Sequence, residues 1–193
     1  MIVFMKIVSY TFIFLFILSA FQMACGQTQT KTDELTVKVI TKEEVAEMIK
    51  TAYPNLKTQA EVMRKAFLAE DFGRYTDFMY STNVEVVGGR EKFISGLRSS
   101  FSNLRSNGVE FVGYEIGEPI QKIEMDNKVF VVLPYETKMK SRQRTTTEEG
   151  NILAVSEDKG ESWKFIRATS KERLRFLFPK LVDKLNFSES RMK

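Results

Sequence analysis

Hydrophobic residues recur along this chain with two different periods, and the change from one to the other falls at Val109. Before that point the spacing is helical. Thr41 and Glu44 stand as the ends of a T-x-x-E capping box, and Val45, Met48, Ile49 and Ala52 follow on one face, so a helix begins at Thr41 and Pro54 ends it. Leu56, Ala60, Met63 and Phe67 continue the stripe on a second helix, with Glu61, Arg64 and Lys65 turned outward. Residues 70–80 (EDFGRYTDFMY) break the period at Gly73 and gather Tyr75, Phe78, Met79 and Tyr80 into a turn and a short third helix. After Gly88-Gly89, Phe93, Leu97, Phe101 and Leu104 mark another amphipathic helix over 90–106, which Asn107-Gly108 stops.

From Val109 onward the period is that of strands. Residues 109–116 (VEFVGYEI) and 120–125 are β-rich and separated by Gly117-Glu118-Pro119, and Asp126-Asn127 makes a turn. Residues 128–140 (KVFVVLPYETKMK) give the longest strand. Val129, Val131, Leu133, Tyr135, Thr137 and Met139 share one face, which must be covered, and Lys128, Glu136, Lys138 and Lys140 share the other. Pro134 cannot donate to a ladder, so a bend or bulge is expected there. The polar stretch 141–149 is expected as a hairpin tip, with Arg142 and Arg144 either solvated or binding an anion, and 150–156 as the return strand. A final hairpin pairs Ile152–Val155 with Trp163–Ile166, and Ser170 caps a closing helix with Leu174, Leu177, Phe178 and Leu181 on one side and a basic face on the other. Pro179 is expected to kink or restart that helix.

The N-terminus reads differently. Lys6 followed by the apolar run Ile7–Leu18, then small residues and Gln, is the layout of a secretory signal peptide. Two processing sites compete: ordinary cleavage after Ala24-Cys25-Gly26, or lipoprotein-type cleavage before Cys25, which would then carry the lipid. Residues 27–40 begin as a polar spacer. The expected organisation is a signal over 1–26, a spacer over 27–40, an α+β domain over 41–186 and a tail over 187–193, in a protein exported to the periplasm, the medium or the cell surface. Contact with a membrane is expected only through the N-terminal segment. Asn186-Phe187-Ser188 matches a glycosylation sequon.

Composition narrows the chemistry. Of 193 residues, 43% are hydrophobic and 28% charged, as in globular domains, and the net charge is a modest +4 with both signs interleaved, so no nucleic-acid surface is expected. The chain has no His and one Cys, which removes imidazole bases, imidazole triads, intramolecular disulfides and multi-thiolate zinc sites. No metal and no cofactor are expected.

Residues 156–163 match S-x-D-x-G-x-x-W and so resemble the Asp-box of β-propeller sialidases, a structural turn in which Ser and Asp accept backbone N–H bonds and Gly takes a positive φ. It occurs once here and follows helices, so it is read as turn chemistry and not as carbohydrate cleavage. The order of elements over 42–168 resembles the NTF2-like superfamily, including its SnoaL-like members. That order comprises two or three helices, the AFLAEDFGRY break, a helix after Gly-Gly, then antiparallel strands ending in GNILAV and WKFI. The resemblance implies an α+β cone, in which a strongly curved antiparallel sheet wraps the N-terminal helices around a cavity. Tyr75, Tyr80, Tyr135, Met139 and Phe93 are then the candidates to line it. It further implies either binding of an apolar or amphipathic small molecule or of a partner, or proton-transfer chemistry of an isomerase or dehydratase type. For the latter, Tyr75, Tyr80 and Tyr135 would act with Asp71 or Asp77, although these acids flank turns, where Asp ordinarily caps N–H groups. A homodimer pairing through the open face of the sheet is a third reading.

Overall fold

The computed structural model describes residues 41–142, 144–186 and 190–193. The expected signal peptide and spacer, Cys25 and most of the sequon lie outside the described residues. Within them the chain is an α+β fold, whose antiparallel sheet curls into a half-barrel with helices on its N-terminal side.

The first helix, α1 (Lys42–Ala52), starts where the sequence places it. The Thr41 hydroxyl accepts from Glu44 N–H and the Glu44 carboxylate accepts from Thr41 N–H, closing both arms of the capping box. The buried positions are Ala46 and Ile49, while Met48 is 63% exposed, so the stripe is narrower than its spacing predicts. Pro54 does more than end α1. It sits at the first position of α2 (Pro54–Leu68), where its missing N–H costs nothing, and Leu56, Ala60, Met63 and Phe67 are buried as the pattern predicts. The break after α2 falls at Glu70, whose φ is 56°, and Gly73 lies within α3 (Phe72–Asp77). Next come α4 (Ser81–Val86), a helix the sequence did not announce, and α5 (Arg90–Ser106).

The sheet is built on one long hairpin. Strand β3 (Lys128–Lys140) pairs with β4 (Thr145–Ser156) in unbroken register from Val129↔Ser156 to Lys140↔Thr145. On its other side β3 takes β1 (Glu110–Ile116) and then β2 (Gln121–Met125) end to end, and β4 takes β5 (Lys164–Arg167) and the short β6 (Arg191–Met192). Pro134 causes no bulge against β4. Its carbonyl accepts from Gly117 N–H at 2.8 Å, so its missing donor faces the junction where β1 stops and β2 has not begun. The irregularity in β1 lies instead between Phe111 and Gly113. Residues 145–149, expected as part of a loop tip, belong to β4, and Ser141 and Arg144 close the turn between the strands.

Both faces of this sheet are packed. Val129, Val131, Leu133, Tyr135, Ile152, Ala154 and Phe165 face α1, α2, α3 and α5 in the inner core. On the opposite face Phe130, Val132, Leu153, Val155 and Ile166 are covered by the C-terminal segment. Its helix α6 (Lys171–Leu177) ends before Pro179, and a 3₁₀ turn follows at Val182–Lys184; Leu174 and Leu181 are fully buried there. The chain thus covers with its own C-terminus the apolar part of a face expected to be open.

The S-x-D-x-G-x-x-W turn joins β4 to β5. Ser156 Oγ accepts from Gly160 N–H at 2.7 Å, and Asp158 Oδ1 accepts from Ser162 N–H at 2.9 Å. Hydrogen bonds from the Ser162 hydroxyl, its N–H and the Ser156 hydroxyl pull the Asp158 carboxyl down to about 2. The stability this lends is present above the ordinary carboxyl value and is lost as pH falls through about 2. Helix α2 pins the turn: Gln59 accepts from Trp163 N–H and donates to the Glu161 carbonyl. Gly160 has φ 101°, and a Cβ there would sit 2.3 Å from Cδ1 of Tyr53, whose ring meets Trp163 edge-on. Gly160→Ala is therefore expected to cost at least about 2 kcal/mol through the backbone conformation and the displaced Tyr53 ring. Urea unfolding checks this: the midpoint falls with the slope unchanged, and an unshifted midpoint contradicts the packing described.

Candidate functional site

Two features stand apart from ordinary core packing, one polar and inside the curl of the sheet, the other a cleft at its edge.

The polar feature arises from strand alternation. Tyr135 on β3, Glu148 on β4 and Arg167 on β5 project from neighbouring strands toward the helices, because Leu133, Ile152 and Phe165, each an even number of residues away, are inner-core positions. One guanidinium nitrogen of Arg167 donates to Glu148 Oε1 at 2.6 Å and to the Tyr135 hydroxyl at 2.7 Å, and that hydroxyl donates to Glu148 Oε1 at 2.8 Å. The Arg167 guanidinium also lies over the Tyr135 ring, 4.9 Å from its centre. Ser190, which leads into β6, stands 3.3 Å from the same hydroxyl. Gly150 makes room, since a Cβ there would lie 2.7 Å from Ser190 Oγ and 2.8 Å from the Tyr135 hydroxyl. Nε of Arg167 is buried without a partner among the described residues.

Above this trio, Tyr75 from α3 and Tyr114 from β1 are both buried, and both rings pack on Phe67 at 5.3 and 5.1 Å. Burial pushes the Tyr75 phenol up to about 12, against the opposing pull of Arg167, and burial with the neighbouring Tyr75 raises Tyr114 well above its usual value. Burial also raises Tyr135, again opposed by Arg167. Burial works against the charge on Arg167 itself, but the Tyr135 oxygen and the Glu148 carboxylate outweigh it.

The sequence-predicted candidates divide. Tyr75 and Tyr135 come together in this cluster. Phe93 and Met139 are half-buried, Phe93 packed against the inner core and Met139 on the same strand face as Tyr135. Tyr80 goes elsewhere: it caps α4, packs on Phe178 in the second core and bonds to Lys128 and Glu157. Neither proposed acid enters the cluster. Asp71 caps α3 by accepting from Arg74 N–H at 3.0 Å, and Asp77 pairs with Arg90 at 2.6 Å near the surface. Sequence reasoning missed Glu148, Arg167 and Tyr114. The available signal was the even spacing of Arg167 from Phe165 and of Glu148 from Ile152, which requires knowing that β4 extends back to Thr145.

The second feature is a cleft of about 240 Å³ between α1, α2 and the β1–β2 connection. Leu56, Ala60, Ile116 and Leu133, all inner-core or core-packed residues, form its floor, and Lys50, Lys57, Glu61 and Glu118 form its rim. None of the five sequence-predicted lining residues borders it. Comparison of the chain with protein-family models, curated proteins and solved structures finds no match.

Two outcomes follow from the polar cluster. Arg167→Met leaves the Glu148 charge half-buried and unpaired, and is expected to cost about 2 kcal/mol, less than a fully buried pair because Arg167 retains 36% side-chain exposure. Adding Glu148→Leu should recover at least about 1 kcal/mol, measurable in a double-mutant unfolding cycle; additive losses contradict the pairing. In alkali, phenols whose folded values are raised hold their stability below pH 10.0 and lose it as pH rises toward about 12. Unfolding followed across that interval should show a steeper loss for wild type than for Tyr75→Phe.

Proposed function

We propose that this domain is an exported, NTF2-like binding module that takes a small amphipathic molecule into the cleft between α1, α2 and the β1–β2 connection. The observation that carries the reading is the cleft itself, with a floor of apolar side chains continuous with the inner core and a rim of charged ones. Binding sites for small molecules have this division, apolar walls for affinity and a few polar groups for orientation. At about 240 Å³ the cleft is smaller than most drug-sized sites, which limits the occupant to a short chain or a single ring. Helices followed by a curled antiparallel sheet support the NTF2-like reading of the scaffold, and the signal-like N-terminus supports export.

A second reading is favoured by one observation, the Tyr135 hydroxyl 2.8 Å from the Glu148 carboxylate inside the sheet, an arrangement suited to acid–base chemistry of an isomerase or dehydratase type. It ranks second because Arg167 already neutralises that carboxylate, and Glu148 Oε1 already accepts two bonds.

Titration with octanol, followed by amide NMR shifts, tests the binding reading. Saturable shifts at Ile116, Gly117 and Glu118 are expected, and Ala60→Leu, which fills the floor, should weaken them about tenfold while thermal unfolding confirms that the variant is folded. Shifts confined to other regions, or none, overturn it.

A further inference from the structure

On the rim of the cleft two lysines share one carboxylate. Lys50, in the last turn of α1, and Lys57, in the first turns of α2, both reach one carboxylate, that of Glu118 on the β1–β2 connection. Lys57 Nζ lies 2.8 Å from Glu118 Oε1 and Lys50 Nζ 3.4 Å from Oε2, so each oxygen is held by a different ammonium group. The connection that carries Glu118 is fixed at both ends, by Gly117 N–H to the Pro134 carbonyl at 2.8 Å and Ile120 N–H to the Val132 carbonyl at 2.9 Å. Its side chain is half exposed and projects beside the apolar floor. The hydrogen bond from Lys57 holds the Glu118 carboxyl below its usual range, in keeping with a seat that favours an anion.

We propose that the cleft binds small monocarboxylates, a carboxylate head between Lys50 and Lys57 in the place of Glu118 and an aliphatic or single-ring body over Leu56, Ala60, Ile116 and Leu133. This rests on the binding function proposed above and names its ligand class. Glu118 is then an internal competitor, a carboxylate of the chain itself standing where the ligand's carboxylate docks. Its departure changes the rim from balanced to cationic. Of the other acids nearby, Glu61 is taken up by Arg64 at 2.9 Å, and Glu47, 3.0 Å from Lys50, stands outside the lining. Exposed ion pairs contribute little each, so most of the affinity comes from burying the body, and the two ammonium groups add a modest preference for a carboxylate over a hydroxyl head.

Isothermal titration of the full domain with octanoate and with octanol separates the two claims. Octanoate is expected to bind about fivefold more tightly than octanol. Glu118→Gln, which removes the competing charge without removing an apolar contact, should raise the affinity for octanoate relative to octanol about two- to fivefold. The double variant Lys50→Gln/Lys57→Gln should bring octanoate down to the affinity of octanol. If octanol binds and octanoate binds no better, or if Glu118→Gln weakens octanoate relative to octanol, the carboxylate seat is wrong while the cleft stands. If neither ligand binds, the cleft reading falls and takes the seat with it.

Discussion

The β3–β4 ladder is the constraint on which the rest of the structure depends. Its register runs without a slip from Val129↔Ser156 to Lys140↔Thr145, and every other strand among the described residues pairs with one of these two. A one-residue slip of β4 against β3 would exchange the faces of β4, moving Ala154 out of the helical side and Val155 into it. Because both faces are apolar along half the ladder, each needs a cover. The helices supply one and the C-terminal segment the other. Pro134 fits this plan because its missing donor faces the interruption between β1 and β2 and not the ladder.

That same interruption produces the cleft. Where β1 ends and β2 has not begun, the chain arcs through Gly117, Glu118 and Pro119, and the floor below it is open between α2 and Leu133. Pro54 places Lys50 and Lys57 on consecutive helices that meet at Tyr53, which brings both cations to one rim. The proposed site thus follows from two prolines and a strand break more than from any motif. The Arg167–Glu148–Tyr135 cluster has a different origin, the alternation of side chains on three adjacent strands, and sits inside the curl of the sheet.

Much of the fold was legible in the sequence because its signals are local. The Thr41 capping box, the Leu56–Phe67 stripe, the 128–140 alternation and the Ser156–Trp163 turn each specify their structure through neighbours a few residues away. The site was much less legible because it is assembled from a distance. Tyr75 and Tyr135 were readable as inward aromatics, but Tyr80 follows a backbone bond from its N–H to the Phe165 carbonyl and turns to the opposite core. Glu148 looked like loop, since the polar run 145–149 carries no apolar alternation, and only its pairing with Glu136–Lys140 makes it strand. The Lys50–Glu118–Lys57 arrangement joins residues more than sixty positions apart, and no periodicity reports that.

The measurement that bears most directly on the account is an intermolecular NOE experiment on methyl-labelled protein in the presence of octanoate. Contacts are expected from the octanoate chain to the methyl groups of Leu56, Ile116 and Leu133. Contacts to Met139 instead would place the ligand inside the sheet beside Tyr135 and contradict binding in the cleft.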